Sequence, residues 1–307
     1  MAKTIRQKGL YLALVSQLDK LARHNRQGSF RTRERYYKAC KRFCGYLADE
    51  YQLQKLENIS GKHLTSYILW MQESGKSAST IKTDLAAIRF FHDKMSKPKY
   101  RLPDNSELTV ELERRRFGGV DRTWSSVEFN KMLGKALAED RYDYILALYL
   151  GRYAGLRIHE CFRLDTAAAE QALRENALTV KGKGGKIRTV PINEQITIAL
   201  RRQLSRTQRG HKLLVPDGVP TDRAIALLQL FITKHRDEVR DADSVRPLTF
   251  HGLRHTFAAE KYRELTDKGM GALDAHFAVS RLLGHERADV TNVYLASLRK
   301  EDCHGRP

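Results

Sequence analysis

The chain has 307 residues, 55 of them Lys or Arg and 36 Asp or Glu, for a formal net charge of +19 at pH 7. That length fits two domains of ordinary size, and no stretch reaches the ~18 consecutive apolar residues of a membrane span. MAKTIRQKGL at the start runs into an amphipathic pattern rather than a signal-peptide core, so a soluble, cytoplasmic protein is expected.

A positive charge of this size concentrates polyanions, of which nucleic acid is the commonest inside cells. Residues 1–122 hold 25 Lys and Arg against 13 Asp and Glu, a net of +12, which leaves +7 for the rest, so both parts can grip one duplex. The cysteines Cys40, Cys44, Cys161 and Cys303 lack a paired metal-ligand spacing and read as free thiols, with Cys40 and Cys44 four apart on a helix face.

In chain order, the first part reads as all-helical. Apolar residues recur at three-to-four spacing in Leu10, Leu14, Leu18 and Leu21, then in Tyr36, Cys40, Phe43 and Leu47, then in Leu64, Tyr67, Ile68 and Met71. A fourth helix, capped by Ser79 or Thr80, buries Ile81, Leu85, Ile88, Phe91 and Met95. Lys76, Lys82, Arg89 and Lys94 decorate its start and its other faces, as suits a helix lying along DNA. Trp70, Phe90 and Phe91 read as core aromatics rather than base-stacking platforms.

From Lys97 to Asp121 the periodicity breaks at Pro98, Pro103, Asn105, Gly118 and Gly119, and Arg114, Arg115 and Arg116 form a basic run that suits a linker crossing a phosphate backbone. Order resumes at Ser125, which has capping-box spacing to Glu128. The expected division is therefore a helical DNA-binding domain with linker over 1–120 and a mixed domain over 121–307. In the latter, a helix with Tyr142, Ile145, Leu148 and Leu150 precedes two strands, Asn176–Lys181 and Lys186–Ile192, joined by glycines that present Lys183 at a hairpin tip. A further helix spans about Asp222 to Val239. The fold class expected is α+β, mostly helical, with a small antiparallel sheet.

Arg157, Lys183, His251, Arg254 and Tyr294 are residue types that together can cut and reseal DNA without metal, nucleotide or other cofactor. Two guanidinium groups clamp a phosphate, a lysine and a histidine move protons, and a tyrosine hydroxyl becomes a covalent nucleophile. Arg157 sits at an expected helix start, and Arg254, three residues after His251, shares a helix face with it.

The segments Ala154-Gly-Leu-Arg-Ile-His-Glu160, Gly182-Lys-Gly184, His251-Gly-Leu-Arg254 and Leu283-Gly-His285 with Tyr294 nine residues on resemble, in order, the boxes of the tyrosine recombinase (phage integrase) family. The resemblance covers the second domain, and a basic helical domain before it is also the family's arrangement. It implies that Arg157 and Arg254 hold the scissile phosphate, that Lys183 is the general acid with Lys181 and Lys186 as rivals, that His251 and His285 attend the phosphate, and that Tyr294 is the nucleophile. Glu160 matches an acidic position that orients Arg157 or His251, against the alternative of a plain helix-surface carboxylate.

The same resemblance implies a homotetramer on double-stranded DNA carrying specific recombination sites, and a compact Xer-like or mobile-element integrase. His159 stands where the family commonly has serine, and either DNA contact or packing suits it. Two further readings share the chemistry or the charge: a type IB topoisomerase that rejoins the original strand, and a non-catalytic DNA-binding protein.

Overall fold

The computed structural model describes residues 5–23, 25–113, 120–182 and 185–284. By its contacts the chain divides into two compact units, Met1–Arg116 and Phe117–Pro307. Among the described residues no helix is long and apolar enough to cross a membrane.

The first unit is built from α1 (Lys8–Arg23), α2 (Phe30–Tyr51), α3 (Gly61–Glu73) and α4 (Ala78–His92), with a short 3-10 turn at Leu56–Asn58. The expected stripes point inward: Leu14, Leu18, Phe43, Leu47, Leu64, Tyr67, Ile68, Met71, Ile81, Leu85, Ile88 and Phe91 are buried in one core, with Trp70 and Phe90 packed partly against it. One charged contact runs through this core. Asp84 on α4 is buried, takes the fork of Arg42 through Nε at 3.0 Å and Nη2 at 2.9 Å, and accepts the Tyr67 hydroxyl at 2.9 Å, so the carboxylate is satisfied by two helices at once. The cap of α4 is Ser77 rather than Ser79 or Thr80. Its hydroxyl accepts the Thr80 amide at 3.3 Å, because Gly75, at φ +68°, turns the chain early enough for the helix to begin at Ala78.

The second unit comprises α5 (Ser126–Ala138), α6 (Tyr142–Tyr153), α7 (Ile158–Cys161), α8 (Thr166–Glu175), β1 (Ala177–Lys181), β2 (Ile187–Pro191), α9 (Glu194–Leu204), α10 (Thr221–Val239), α11 (Phe250–Asp267) and α12 (Ala272–Leu283). The capping box at Ser125 forms, with Glu128 returning its carboxylate to the Ser125 amide at 2.8 Å. The strands pair antiparallel with Leu178 opposite Val190 and Val180 opposite Arg188. α6 packs against α5, α9 and α11, with Leu146, Ala147, Leu148 and Leu150 fully buried.

α11 positions most of the site. Thr249 caps it, and an unbroken buried run from Gly252 to Ala259 makes it a central helix rather than a surface one. Its first turn closes tightly on the chain leading into α5: a Cβ on Gly252 would lie 2.4 Å from the Arg122 carbonyl and 2.7 Å from Trp124 Nε1. Only glycine allows that approach.

Candidate active site

The site begins where α6 ends. Gly155 takes φ +61°, and a side chain there would meet the Phe257 ring at 2.4 Å, so glycine is required both by the backbone angle and by the packing of α11. Its turn delivers Arg157 as N-cap of α7. Glu160, one turn on, returns its carboxylate to the Arg157 amide at 2.8 Å and takes the Arg157 Nη1 at 3.0 Å, so the acid fixes both ends of the arginine. Glu160 is buried, which rules out a plain surface carboxylate. Arg188 on β2 completes its shell, donating from Nη1 to Oε1 at 3.0 Å and from Nη2 to Oε2 at 2.7 Å.

Burial alone would push the Glu160 carboxyl up, but the hydrogen bonds from Arg188 and the Arg157 amide, with the two guanidinium charges, bring it down to about 2. A folded-state value below the ordinary 4.5 means that this stabilisation is complete above about pH 4.5 and is lost as pH falls toward about 2. Glu160→Gln is therefore expected to cost on the order of 3 kcal/mol at neutral pH. The gap from wild type should close as the solution is acidified through that window. Thermal melts of the two proteins across pH check it; a gap independent of pH would remove the ionised carboxylate from the account.

Arg254, on α11, is fully buried. Its Nη1 donates to the Gly155 carbonyl and its Nη2 to the Leu283 carbonyl, so it ties the turn before Arg157 to the end of α12. His251, one turn earlier, is exposed to solvent and shares a cavity wall with Arg157. Desolvation first, and then the charges of Arg254, Arg122 and Arg157, depress it to about 4. His255 meets it edge to face at 5.1 Å and is depressed to about 3 by burial, then by His251 and the charges of Arg122 and Arg254. Both imidazoles are neutral at pH 7, and a neutral ring can accept a proton. Beside them lies a cavity of about 400 Å³ lined by Arg157, His159, Gln229, Thr233, Thr249 and His251 among others, which places His159 on a cavity wall.

Of the residues expected from sequence, Arg157, Glu160, His251 and Arg254 thus converge. Lys183, His285, Tyr294, Arg114, Arg115 and Arg116 lie outside the described residues. In the first unit Lys76 is exposed, whereas Lys82 donates to the Glu113 carbonyl at 2.7 Å, Arg89 donates to the Pro103 carbonyl and Asn105 Oδ1, both at 2.8 Å, and Lys94 lies 4.7 Å over the Phe90 ring. Lys82 and Arg89 tether the segment that follows α4. Sequence reasoning missed Arg188. Its signal was the period of two, since a residue two before the buried Val190 and opposite the buried Val180 faces inward. Arg122 and the carbonyls of Gly155, Leu282 and Leu283 carry no comparable signal.

The Phage integrase family profile matches residues 127–301, and the profile for the phage integrase N-terminal domain matches residues 12–98. Tyrosine recombinase XerD of Halalkalibacterium halodurans is 25% identical over 286 residues, 86% of each chain. Among solved structures, XerH site-specific recombinase bound to a palindromic difH substrate superposes with a TM-score of 0.63 at 17% identity, covering 99% of this chain and 90% of that one. A lambda integrase tetramer bound to a Holliday junction gives 0.63 at 17% identity, over 91% and 76%. At such identities the superpositions establish a shared fold.

Proposed function

The chain belongs to the phage integrase family and is a site-specific tyrosine recombinase that cuts and rejoins DNA strands, and we propose that Tyr294 is its nucleophile. The observation that supports the site assignment is that Arg157 and His251 line one recess, with buried Arg254 tied to the turn before Arg157 and close enough to depress His251, and with the acid Glu160 holding Arg157 from behind.

In this reading Arg157 and Arg254 bind the non-bridging oxygens of the scissile phosphate and stabilise the charge that gathers there in the transition state. Arg254 gives two of its five N–H donors to carbonyls, so a phosphate would engage others of the five or take the place of a carbonyl. The Tyr294 oxygen attacks phosphorus, a 3′-phosphotyrosyl bond forms, and the bond to the 5′ oxygen breaks. Lys183 supplies the proton the departing oxygen needs, and His251, neutral before reaction, is assigned the phenol's proton. His285 adds a hydrogen bond to the phosphate. A 5′ hydroxyl from another strand then reverses the step. One ester replaces another, so no nucleotide is consumed.

The first unit is assigned to DNA binding, with Lys76 and Lys94 and the basic run Arg114–Arg116 beside the phosphate backbone and Lys82 and Arg89 shaping the segment between. Exchange of both strands of two duplexes needs four cleavages, which four protomers supply with one Tyr294 each. A homotetramer on double-stranded DNA is the corresponding assembly.

The test is covalent capture. Incubated in excess chelator with nicked duplexes of randomised sequence, the protein is expected to yield a detergent-resistant protein–DNA adduct, and sequencing the trapped DNA identifies the target. Strict dependence of cutting on added Mg²⁺, with no adduct, would replace this reading with a nuclease.

A further inference from the structure

Arg188 has no part in the chemistry above, yet it joins three segments of the site. Its side chain is 9% exposed. The two Nη groups grip both oxygens of Glu160, and Nε donates to the Leu282 carbonyl at 2.9 Å. The surrounding chain is shaped to it: a Cβ on Gly284 would lie 3.1 Å from Arg188 Cδ, and one on Gly182 would lie 3.5 Å from its Nη1. Glu160 in turn holds Arg157. Leu282 stands three residues before His285 and twelve before Tyr294 in the sequence. One guanidinium therefore holds both the acid that fixes the phosphate-binding arginine and the carbonyl from which the nucleophile's segment departs.

We propose that Arg188 is a positioning residue that sets the start of the segment carrying His285 and Tyr294 relative to Arg157, by gripping Glu160 and the Leu282 carbonyl together. The inference rests on the roles proposed for Arg157 and Tyr294. In-line attack is sensitive to placement, and a displacement of about 1 Å at the reacting atoms costs on the order of 10²-fold in rate. The job needs a fork with a third donor pointing elsewhere, which arginine has and lysine lacks. A residue present only to neutralise Glu160 would be replaced well by lysine.

Arg188→Lys separates the two. It is expected to lower the melting temperature by no more than a few degrees and to keep DNA affinity within about threefold, while single-turnover adduct formation, measured below the melting transition, falls by roughly 10- to 100-fold. Wild-type cleavage by Arg188→Lys would overturn the proposal. Should that variant fold poorly, the double replacement Glu160→Gln with Arg188→Met removes the buried charges together. It too is expected to bind and to cleave slowly, and full activity in it would equally overturn the inference. Wild-type protein runs beside both on duplexes recovered from the randomised pool. No adduct from wild type removes the functional reading and this inference with it, whereas a wild-type adduct matched by Arg188→Lys at equal rate removes this inference alone.

Discussion

Replacing Tyr294 by Phe is expected to abolish covalent protein–DNA adducts, lowering their rate of formation by on the order of 10⁴-fold or more. The substitution removes one oxygen atom and leaves the ring. If that oxygen is the nucleophile, no neighbouring group on the same side chain can take its place. Binding should change by less than about threefold, because most of the affinity of a protein with net charge +19 for DNA comes from its many phosphate contacts. The chain has 13 tyrosines, so the alternative to be beaten is another phenol. Two described ones are ill suited: Tyr67 is buried with its hydroxyl on Asp84, and Tyr37 donates to Asp19 and is pushed up to about 12 chiefly by that bond. A phenol that already donates to a carboxylate resists ionisation further, the reverse of what attack requires. Adducts from Tyr294→Phe at wild-type yield would move the nucleophile elsewhere.

How much of this molecule was legible in its sequence depends on whether a partner group leaves a pattern in the chain. The four helices of the first unit were, because burial on one face repeats every three to four residues and Leu64, Tyr67, Ile68 and Met71 duly meet the core. The Ser125–Glu128 cap was too, since both of its partners are side chains at fixed spacing. Ser77 was misread because three hydroxyl residues crowd one helix start and the choice between them is made by the turn at Gly75.

At the site, Arg157, Glu160, His251 and Arg254 were found through short motifs, and Glu160 proved to orient Arg157. Their supports were harder to see. Arg188 stood in plain view in a strand, but its target, a carboxylate 28 positions earlier, is set by how β2 packs against α7. Lys82 and Arg89 look like solvent-facing cations in sequence and instead hold carbonyls of the segment that follows α4. Every residue has a carbonyl, so no sequence pattern marks which one a cation will find.

Arg254→Lys should separate phosphate binding from charge alone. Arginine there serves the Gly155 and Leu283 carbonyls from two different nitrogens of one planar group, which a single ammonium cannot reach together in the same geometry. One carbonyl is left without a donor in a fully buried place, which costs about 1–3 kcal/mol and should appear as a lower melting temperature. The chemical penalty should be larger. Loss of one preorganised donor to a developing oxyanion is worth on the order of 10²- to 10³-fold in rate, and the bidentate grip of a guanidinium on phosphate is lost with it. The variant is therefore expected to bind DNA within a few fold of wild type while its single-turnover cleavage falls by at least about 10²-fold, measured below its melting transition so that unfolding does not contribute. The comparison with Arg188→Lys is informative, because both replace a buried fork by a point charge, yet only Arg254 is assigned a phosphate. The loss at Arg254 should exceed that at Arg188. Equal losses at the two positions would mean that Arg254 acts through the carbonyls it holds, and the phosphate clamp would then have to be built on Arg157 without it.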